Sequence, residues 1–337
     1  MKFRKYNSIE NSYQSDFMQL IAEQGFADLD YVVQEKVHGG NLSLITNGEE
    51  LISAKRTGLN VADENFYNFQ SVVEAYRDKV FALFADLQLS RGIHTLTIFG
   101  ELFGGAYPHA DVEQVLGSKM VQQGIYYAPH NDFYAFDVLL DDAIFLGVNE
   151  ANALFEKHGF IYARTLFSGS LSACLAQSNT FRTTIPALFG LPELEGNICE
   201  GLVIRPLEPV FMRNGSRVLI KNKNERWSEN NNYIDKVLLG SLRRDADSLS
   251  EECQFLCEEI YRYITVNRLD NVLSKIGEIN VNRDLGRVLG LFNKDVLSDF
   301  LKDFQFRYDG LEKQEQKAIG RFLNSHSSVL LNERFKR

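Results

Sequence analysis

The stretch from Tyr31 to Gly58 constrains the fold of this 337-residue chain more than any other. Asn47-Gly48 lies between two runs rich in apolar and β-branched residues, 42–46 and 51–55. This dipeptide between such runs is the strongest short-range signal for a β-hairpin. A further run at 31–33 predicts a strand end before the hairpin. We therefore expect a β-rich domain organised around this stretch.

Charged side chains accompany the predicted hairpin. Lys36 and His38 share a face of an extended chain because side chains alternate with a period of two. Gly39 and Gly40 follow, and glycine permits close backbone approaches that other residues do not. The return strand ends in Lys55-Arg56, so the pattern predicts a rim carrying an amine, an imidazole and a Lys-Arg pair. A lysine beside a glycine turn is by itself more often a solvated surface charge.

Composition indicates an ordinary globular protein. Hydrophobic residues make up 45% of the chain and charged residues 24%, values typical of soluble domains, and the length favours two domains. Residues 1–16 have no signal-peptide pattern, and no apolar run reaches about 18 residues. We therefore expect no membrane segment and a cytoplasmic location. A reducing compartment is also indicated by the few, scattered cysteines, Cys174, Cys199, Cys253 and Cys257.

The net charge of −9 argues against a non-specific polyanion binder. Local clusters still decide where phosphates bind, and the balance reverses between 201 and 230. That segment contains six basic residues, Arg205, Arg213, Arg217, Lys221, Lys223 and Arg226, and only three acidic ones, Glu208, Glu225 and Glu229.

The periodicity of the chain changes near its middle. Strands are predicted at 95–99, 133–140, 200–206 and 217–223, and a helix from about 63 to 87. In the strand 133–140 we expect Phe133, Ala135 and Asp137 on one face and Tyr134, Phe136 and Val138 on the other. After the polar segment 228–233 the pattern becomes helical. We predict an α+β domain at 1–232, a linker at 233–244 and a helical domain at 245–337.

Six segments occur in a fixed order: EKVHGGN, SAKRTG, FGELFGG, FYAFDV, EGLVIRP and LIKNKN. This set resembles the nucleotidyltransferase motifs of covalent ligases. It is most similar to the RNA ligase 2 family, which includes a phage RNA-repair enzyme and the trypanosome RNA-editing ligases. The resemblance extends from residues 5–11 to residues 265–279. It implies an adenylylation domain of antiparallel β-sheets with flanking helices, followed by a small all-helical C-terminal domain that docks RNA.

The resemblance also implies an activity. A member would be an ATP-dependent RNA ligase that seals 3′-OH/5′-phosphate breaks, most naturally nicks in duplex RNA, through a lysyl-AMP intermediate and an adenylylated RNA 5′ end. ATP and Mg²⁺ would be its cofactors, with Mn²⁺ as a substitute. We expect the protein to act as a monomer on RNA.

Site roles follow from the same resemblance. Lys36 would be the nucleophile, and lysine suits this role because nearby cations can favour its neutral form. Glu200 would act on the metal, Glu101 on the ribose and Phe136 on adenine, and Arg56 would position the RNA 5′-phosphate. The catalytic set is Lys36, Arg56, Glu200, Lys221 and Lys223. The nucleotide-binding set adds Glu35, His38, Asn41, Glu101 and Phe136. The RNA-binding set is Phe66, Tyr67 and Arg268.

Some alternatives stay open. Gly40 stands where relatives often have threonine, and Gln34 where the phage enzyme has arginine, which affects substrate details. A DNA ligase or capping-type nucleotidyltransferase would share the chemistry, and a catalytically silent RNA-binding protein is a rival of another class. Phe66 could instead belong to the core, and Arg268 to an internal ion pair.

Overall fold

The computed structural model describes residues 1–61, 66–227 and 249–335. The chain divides into two compact units, Met1–Arg226 and Trp227–Arg337. Two domains were predicted, but the expected boundary at 232 and the linker 233–244 lie outside the described residues.

The described part of the first unit forms twelve strands in two sheets. The strands are β1 (Glu10–Asn11), β2 (Asp30–Lys36), β3 (Gly40–Thr46), β4 (Leu51–Lys55), β5 (Gly58–Leu59), β6 (Leu96–Gly104), β7 (Asn131–Leu140), β8 (Ile144–Phe145), β9 (Ile161–Tyr162), β10 (Thr165–Ser170), β11 (Gly201–Pro206) and β12 (Ile220–Lys223). The first sheet has the order β1-β12-β11-β2-β10, and the second the order β5-β4-β3-β6-β7-β8 with β9 beside β7. Neighbouring strands are antiparallel except β1 with β12 and β9 with β7.

Helices of the first unit cover the outer faces of these sheets. They are α1 (Ser15–Glu23), α2 (Phe69–Arg91), α3 (Val148–Lys157), α4 (Leu171–Leu175) and α5 (Ile185–Leu188), with a 3-10 turn at Phe26–Asp28; a second 3-10 turn, Glu225–Trp227, includes the last two residues of this unit and the first of the next. The first sheet packs Val33 and Ile204 against Ile21 of α1. The second sheet packs Leu44 and Ile98 against α2. Mixed α+β architecture was expected and is confirmed.

The predicted hairpin is present, but the strand before it belongs to the other sheet. Residues of β3 and β4 pair from Leu42 with Lys55 to Thr46 with Leu51. The side chain of Asn47 accepts hydrogen bonds from two backbone N–H groups within the turn. In contrast, β2 pairs with β11 and β10, so residues 37–39 carry the chain from one sheet to the other. Lys36 therefore lies where the two sheets meet.

A β-bulge at Phe136 overturns the predicted alternation along β7. Ala135 and Asp137 pair with consecutive residues of β6, so Phe136 between them is an extra residue. The extra residue shifts the period-two pattern by one position. Val138 consequently lies in the same core as Phe133 and Ala135. Asp137 instead reaches Arg205 of the first sheet, which shows that the inner faces of the two sheets face each other.

The second unit is helical over the residues described. Its helices are α6 (Glu251–Tyr261), α7 (Val266–Ile276), α8 (Val281–Asp309) and α9 (Lys313–Phe335). They enclose a core of their own that includes Leu256, Leu269, Phe292, Phe300 and Leu323. The all-helical prediction is confirmed for this part of the chain. Across the described ranges of both units, no helix combines the length and apolar character needed to cross a bilayer.

Candidate active site

Three adjacent strands of the first sheet align two lysines. Lys36 at the end of β2 pairs with Gly201 of β11, and Gly201 pairs on its other side with Lys223 of β12. Lys221 lies two residues earlier on β12, on the same face as Lys223. The period-two alternation of the predicted strand 217–223 is consistent with this shared face. The strand is not a solvated edge, because β1 pairs with it on the outer side.

Glu200, immediately before β11, is the centre of the site. Its Oε2 lies 2.7 Å from Lys36 Nζ and 3.3 Å from His38 Nδ1, and its Oε1 lies 2.7 Å from Lys223 Nζ. Glu200 has no exposed surface, whereas 19% of the Lys36 side chain is exposed. Burial alone would raise the pKa of Glu200, but Lys223, Lys36 and His38 hold that pKa well below its ordinary value. Glu200 is therefore a carboxylate at neutral pH, ion-paired with both lysines.

The turn after Lys36 is held by residues that the sequence did not single out. Tyr127 Oη accepts the backbone N–H of His38 at 2.8 Å, and Gln122 Nε2 donates to the Gly39 carbonyl at 3.2 Å. A Cβ on Gly39 would lie 2.2 Å from the Leu102 carbonyl oxygen. Glycine is thus required where this turn crosses β6. Tyr127 belongs to the aromatic segment GIYYAP at 124–129, and its contact with the turn depends on the tertiary fold.

Glu101 approaches the site from the second sheet. It lies on β6, opposite Asn41 of β3. Burial raises the pKa of Glu101 to about 7, and the nearby Glu200 carboxylate adds to this, against the opposing effects of Lys36 and Arg56. Near neutral pH the Glu101 carboxyl is therefore divided between its protonated and ionised forms. Lys36, Glu200 and Glu101 are brought together as expected.

Arg56 lies at the rim of the same cleft. Its Nη1 donates to the Tyr6 carbonyl oxygen at 3.2 Å, and its side chain is half-buried. The ring of Tyr6 in turn packs edge-on against Phe136, with the ring centroids 4.9 Å apart. The N-terminal segment thus connects the predicted 5′-phosphate contact with the predicted adenine contact.

A buried ion-pair network that the sequence analysis missed joins the two sheets beside Phe136. Asp137 accepts hydrogen bonds from Arg205 Nη2 at 3.1 Å, Arg217 Nη1 at 2.6 Å and Tyr6 Oη at 2.8 Å. Burial opposes ionisation of Asp137, but the two guanidinium groups lower its pKa below the ordinary value. The relevant signal was the opposite charges within FYAFDV and EGLVIRP, although spacing could not show that they meet.

The carboxylate of Glu35 points away from Lys36. It accepts hydrogen bonds from Thr183 Oγ1 at 2.5 Å, and from the Thr184 backbone N–H at 2.9 Å and Oγ1 at 2.6 Å. Burial raises its pKa, and these hydrogen bonds oppose the shift. The Glu35 carboxylate is therefore held by residues 183–184 and not by Lys36.

The structure disagrees with the three residues predicted to contact RNA. Phe66 is 1% exposed and Tyr67 8% exposed, and both lie in the core of the second sheet. They precede α2, which begins at Phe69 rather than near 63, and neither side chain has the exposed surface that the predicted RNA contact requires. Arg268 is 1% exposed and bonds Asp295 at 2.9 Å and Asp299 at 2.8 Å. It forms the internal ion pair that was the alternative.

The two carboxylates of the cleft are the candidate metal ligands. Among the residues described, no group of three or more His, Cys, Asp or Glu side chains could hold a metal on its own. Glu200 and Glu101 fit Mg²⁺ nonetheless, since Mg²⁺ commonly binds one or two carboxylates together with water and substrate phosphates.

Comparison with known proteins gives two family matches. The profile of the RNA ligase family matches residues 29–223, more than half of the chain, and the profile of the T4 RNA ligase 2 C-terminal domain matches residues 247–329. RNA-editing ligase 1, mitochondrial, of Trypanosoma brucei brucei is 30% identical, over 85% of this chain and 73% of that protein. RNA-editing ligase 2, mitochondrial, of the same subspecies is 29% identical, over 99% of this chain and 91% of that protein.

Solved structures of an RNA ligase from Naegleria gruberi are also similar. The form with PPi gives a TM-score of 0.42 at 16% identity and covers 67% of this chain. A mutant with ATP and Mn gives 0.45 at 14% identity, again over 67% of this chain. The present chain spans 57% and 56% of those two structures, respectively.

Proposed function

We propose, since this chain belongs to the RNA ligase family, that it joins an RNA 3′-OH to an RNA 5′-phosphate at the expense of ATP. The observation that carries the proposal is the convergence of Lys36 and Lys223 on the buried Glu200 carboxylate, at 2.7 Å each. An accessible amine beside fixed cations is what a covalent nucleotidyl transfer requires. The names of the two trypanosome relatives support RNA as the substrate.

In the first step Lys36 Nζ, in its neutral form, attacks the α-phosphorus of ATP. A nitrogen–phosphorus bond forms, the bond from that phosphorus to the bridging oxygen breaks, and pyrophosphate leaves. Lys36 Nζ donates to Glu200 Oε2 at 2.7 Å, so the amine must leave this carboxylate before it can reach the phosphorus. Lys223 and Lys221 lie on the neighbouring strand face, where they can neutralise charge on the phosphate oxygens.

Two further transfers complete the reaction. An oxygen of the RNA 5′-phosphate attacks the adenylyl phosphorus, and the nitrogen–phosphorus bond breaks to release Lys36. The RNA 3′-OH then attacks the activated 5′-phosphate, and AMP leaves. Arg56 would hold the 5′-phosphate at the rim of the cleft. Both steps need cations positioned beside the reacting phosphates, and Arg56, Lys221 and Lys223 would provide them.

Glu200 and Glu101 would hold Mg²⁺, with Mn²⁺ as a substitute. When bound, the ion would neutralise charge on the substrate phosphates. In the structure Glu200 is the ion-pair partner of Lys36 and Lys223, so its carboxylate would place the ion beside the nucleophile. Phe136 would stack on the adenine, while His38, Asn41 and the backbone of Glu35 would line the rest of the nucleotide site. Selectivity for ATP would come from contacts with the edge of the base.

We further propose nicked duplex RNA as the substrate and a monomer as the active form. The cytoplasmic assignment stays a prediction. The four cysteines are free and buried, which suits a reducing compartment, but the names of both relatives place them in mitochondria. Fractionation of the source cells would decide between these compartments, and light scattering would measure the oligomeric state.

Covalent labelling tests the nucleophile. Incubation with α-labelled ATP and Mg²⁺ should label the protein, whereas Lys36→Ala and Lys36→Arg should lower labelling by about a thousandfold or more, because neither offers a neutral amine. Lys157→Ala, a change of an exposed lysine on α3, should label like the parent. Both Lys36 variants should still join RNA that carries a preformed 5′-adenylate. Full labelling of either variant would refute the assignment.

A nicked DNA duplex with a single ribose at the 3′-OH end distinguishes an RNA ligase from a DNA ligase. A nick with ribose at the 3′-OH end and deoxyribose elsewhere should be sealed well, and an all-DNA nick poorly, because only the 2′-hydroxyl and the A-form shape distinguish RNA from DNA. Equal sealing of both nicks would favour the DNA-ligase alternative. Failure of sealing together with normal labelling of Lys36 would instead indicate that a different acceptor is used.

A further inference from the structure

The outward face of α8 and α9 is basic, although the chain as a whole is acidic. The two helices are consecutive, joined at residues 310–312, and Asn293 Nδ2 of α8 donates to Asn324 Oδ1 of α9 at 2.9 Å. Phe292 of α8 and Leu323 of α9, the neighbours of these asparagines, point into the core. The Asn293–Asn324 contact therefore marks where the exposed faces of the two helices join.

Four basic side chains lie on this joint face. Arg287 and Lys294 are exposed on α8, seven residues or two helical turns apart, and Lys317 and Arg321 are exposed one turn apart on α9. Among the residues that the structure describes, none of the four has a carboxylate within 4.0 Å. Seven other basic side chains of this unit form ion pairs: Arg262, Arg268, Lys275, Arg283, Lys302, Arg307 and Arg334.

The surroundings of these four residues are mainly polar, although Asp284 lies one turn before Arg287 and interacts with its charge. No Asp or Glu occurs between 316 and 332 or between 285 and 294, in a chain with a net charge of −9. Beside Lys317 and Arg321, an open groove along α9 is lined by amide and hydroxyl side chains, among them Asn324, Ser325 and Ser328. Basic, amide and hydroxyl groups are the side chains that contact phosphate oxygens in protein–nucleic acid complexes.

Three glycines in the interiors of these helices accompany the basic residues. Gly286 and Gly290 lie on α8 and Gly320 on α9, all exposed, and a Cβ at any of them would meet no atom within 4 Å. The fold itself therefore does not require glycine there, and glycine makes a helix less stable than alanine does. A molecule that approaches the backbone closely from outside would account for glycine at these positions.

We propose that the face formed by Arg287, Lys294, Lys317 and Arg321, with its three glycines, docks the sugar–phosphate backbone of the duplex RNA that the active site seals. This inference rests on the proposed function and names the surface that holds its substrate. The docking is sequence-independent, because side chains of this kind contact phosphates and do not read base edges. It replaces Arg268 as the contact between the helical unit and RNA.

Removal of the four charges tests the surface. The variant Arg287→Gln/Lys294→Gln/Lys317→Gln/Arg321→Gln should bind a fluorescein-labelled nicked RNA duplex at least tenfold more weakly in anisotropy titrations without ATP. The slope of log affinity against log salt should become shallower by about 3 to 4, since each lost phosphate contact contributes roughly 0.9. Labelling of Lys36 with ATP should be unchanged. Lost labelling of the parent protein would instead refute the proposed function.

A matched control removes four charges from another surface. The variant Arg77→Gln/Lys79→Gln/Arg91→Gln/Lys157→Gln changes exposed or half-buried side chains on α2 and α3 and alters net charge equally. It should keep the RNA affinity within about twofold and lower the salt slope by less than one. Equal loss of affinity in both variants would show a non-specific charge effect and overturn the proposal. An unchanged affinity of the α8–α9 variant would overturn it too, and would assign this face to a protein partner.

The glycines give a test that leaves charge untouched. Gly290→Leu should raise or preserve the midpoint of thermal unfolding, because leucine is the better helix former and the position is open. The same change should lower the affinity for the nicked duplex at least fivefold, since the side chain fills the space that the RNA backbone would enter. Leu89→Gly at an exposed position of α2 is the reverse control, with lower stability and unchanged affinity. Parent-level RNA affinity of Gly290→Leu would refute close approach at this face.

Discussion

Lys36 and Lys223 lie on opposite sides of the same residue, Gly201, in register across three adjacent antiparallel strands. Their Cα atoms are therefore separated by two inter-strand spacings, about 9 to 10 Å. Both side chains bend inward to the carboxylate of Glu200, the residue just before Gly201. One short segment thus sets the distance between the proposed nucleophile and its neighbouring cation.

Gly201→Ala should disrupt this geometry. Gly201 has a φ of +147°, and a Cβ there would lie 2.2 Å from the Asn222 carbonyl oxygen and 2.7 Å from Lys223 Cα. Because both contacts are with backbone, β12 must move, and Lys223 moves with it. We expect Lys36 labelling by ATP to fall by about a hundredfold, since a 1 Å displacement can have that effect. Single-turnover labelling is the measurement. The matched control is Gly215→Ala, at φ +82° with open space around it, and parent-rate labelling of Gly201→Ala would contradict the prediction.

The sequence predicted local features well and tertiary pairings poorly. The β3–β4 hairpin followed from Asn47-Gly48, and the lysine-bearing face of β12 followed from alternation. The placement of β2 in the other sheet could not be predicted, because strand order depends on pairing between residues more than a hundred positions apart. Six ordered motifs nevertheless singled out Lys36, Glu101 and Glu200, which lie close together in the structure, while their roles stay predictions. The resemblance to the RNA ligase 2 family identified these candidate site residues, which the periodicity of the sequence could not do.

The errors have physical causes as well. One extra residue at Phe136 reversed the faces of β7, and no single-residue signal marked that bulge. Phe66 and Tyr67 were placed on a helix that starts only at Phe69, after Asn68 in a left-handed conformation. Arg268 carries a charge that is normally exposed, but two carboxylates of α8 neutralise it inside the helical unit. A charge pattern along the sequence does not show which charges find partners.

Glu101 should make the free energy of unfolding depend on pH. Its pKa in the fold is about 7, above the ordinary 4.5, so between these values the folded state binds more protons than the unfolded state. Stability contributed by the protonated carboxyl is present below about pH 4.5 and is lost as pH rises through about 7. Glu101→Gln, which stays neutral, should therefore become more stable relative to the parent between pH 5 and pH 8, by up to about 3 kcal/mol.

Urea unfolding at pH 5 and pH 8 measures this difference. Glu156→Gln on α3 is the control, since that carboxylate is exposed and its replacement should change stability equally at both pH values. If Glu101→Gln follows the parent at both pH values, the Glu101 carboxyl is not buried as the structure shows. Mg²⁺ should reduce the effect in the parent if Glu101 takes part in holding the ion.

Asp137→Asn should destabilise the first unit strongly. Arg205 and Arg217 are 3% and 2% exposed, and loss of their shared carboxylate would leave two buried cations without a counter-charge. Breaking a buried ion pair by removing one partner costs about 3 to 5 kcal/mol. The measurement is urea unfolding followed by a probe in this unit. Asp142→Asn, which loses only a 4.0 Å contact with the exposed Arg4, should cost less than about 1 kcal/mol. Similar small costs for both variants would contradict the network.

Arg268→Gln separates a structural role from an RNA contact. The guanidinium is 1% exposed and holds Asp295 and Asp299 of α8, so its loss leaves two partly buried carboxylates near each other. We expect the helical unit to lose about 3 kcal/mol of unfolding free energy, measured by urea titration of its circular dichroism. Lys302→Gln, which loses a half-exposed pair with Asp299, should cost less than about 1 kcal/mol. Under conditions where Arg268→Gln stays folded, its affinity for nicked duplex RNA should match that of the parent. Tenfold weaker binding by the folded variant would restore Arg268 as an RNA ligand.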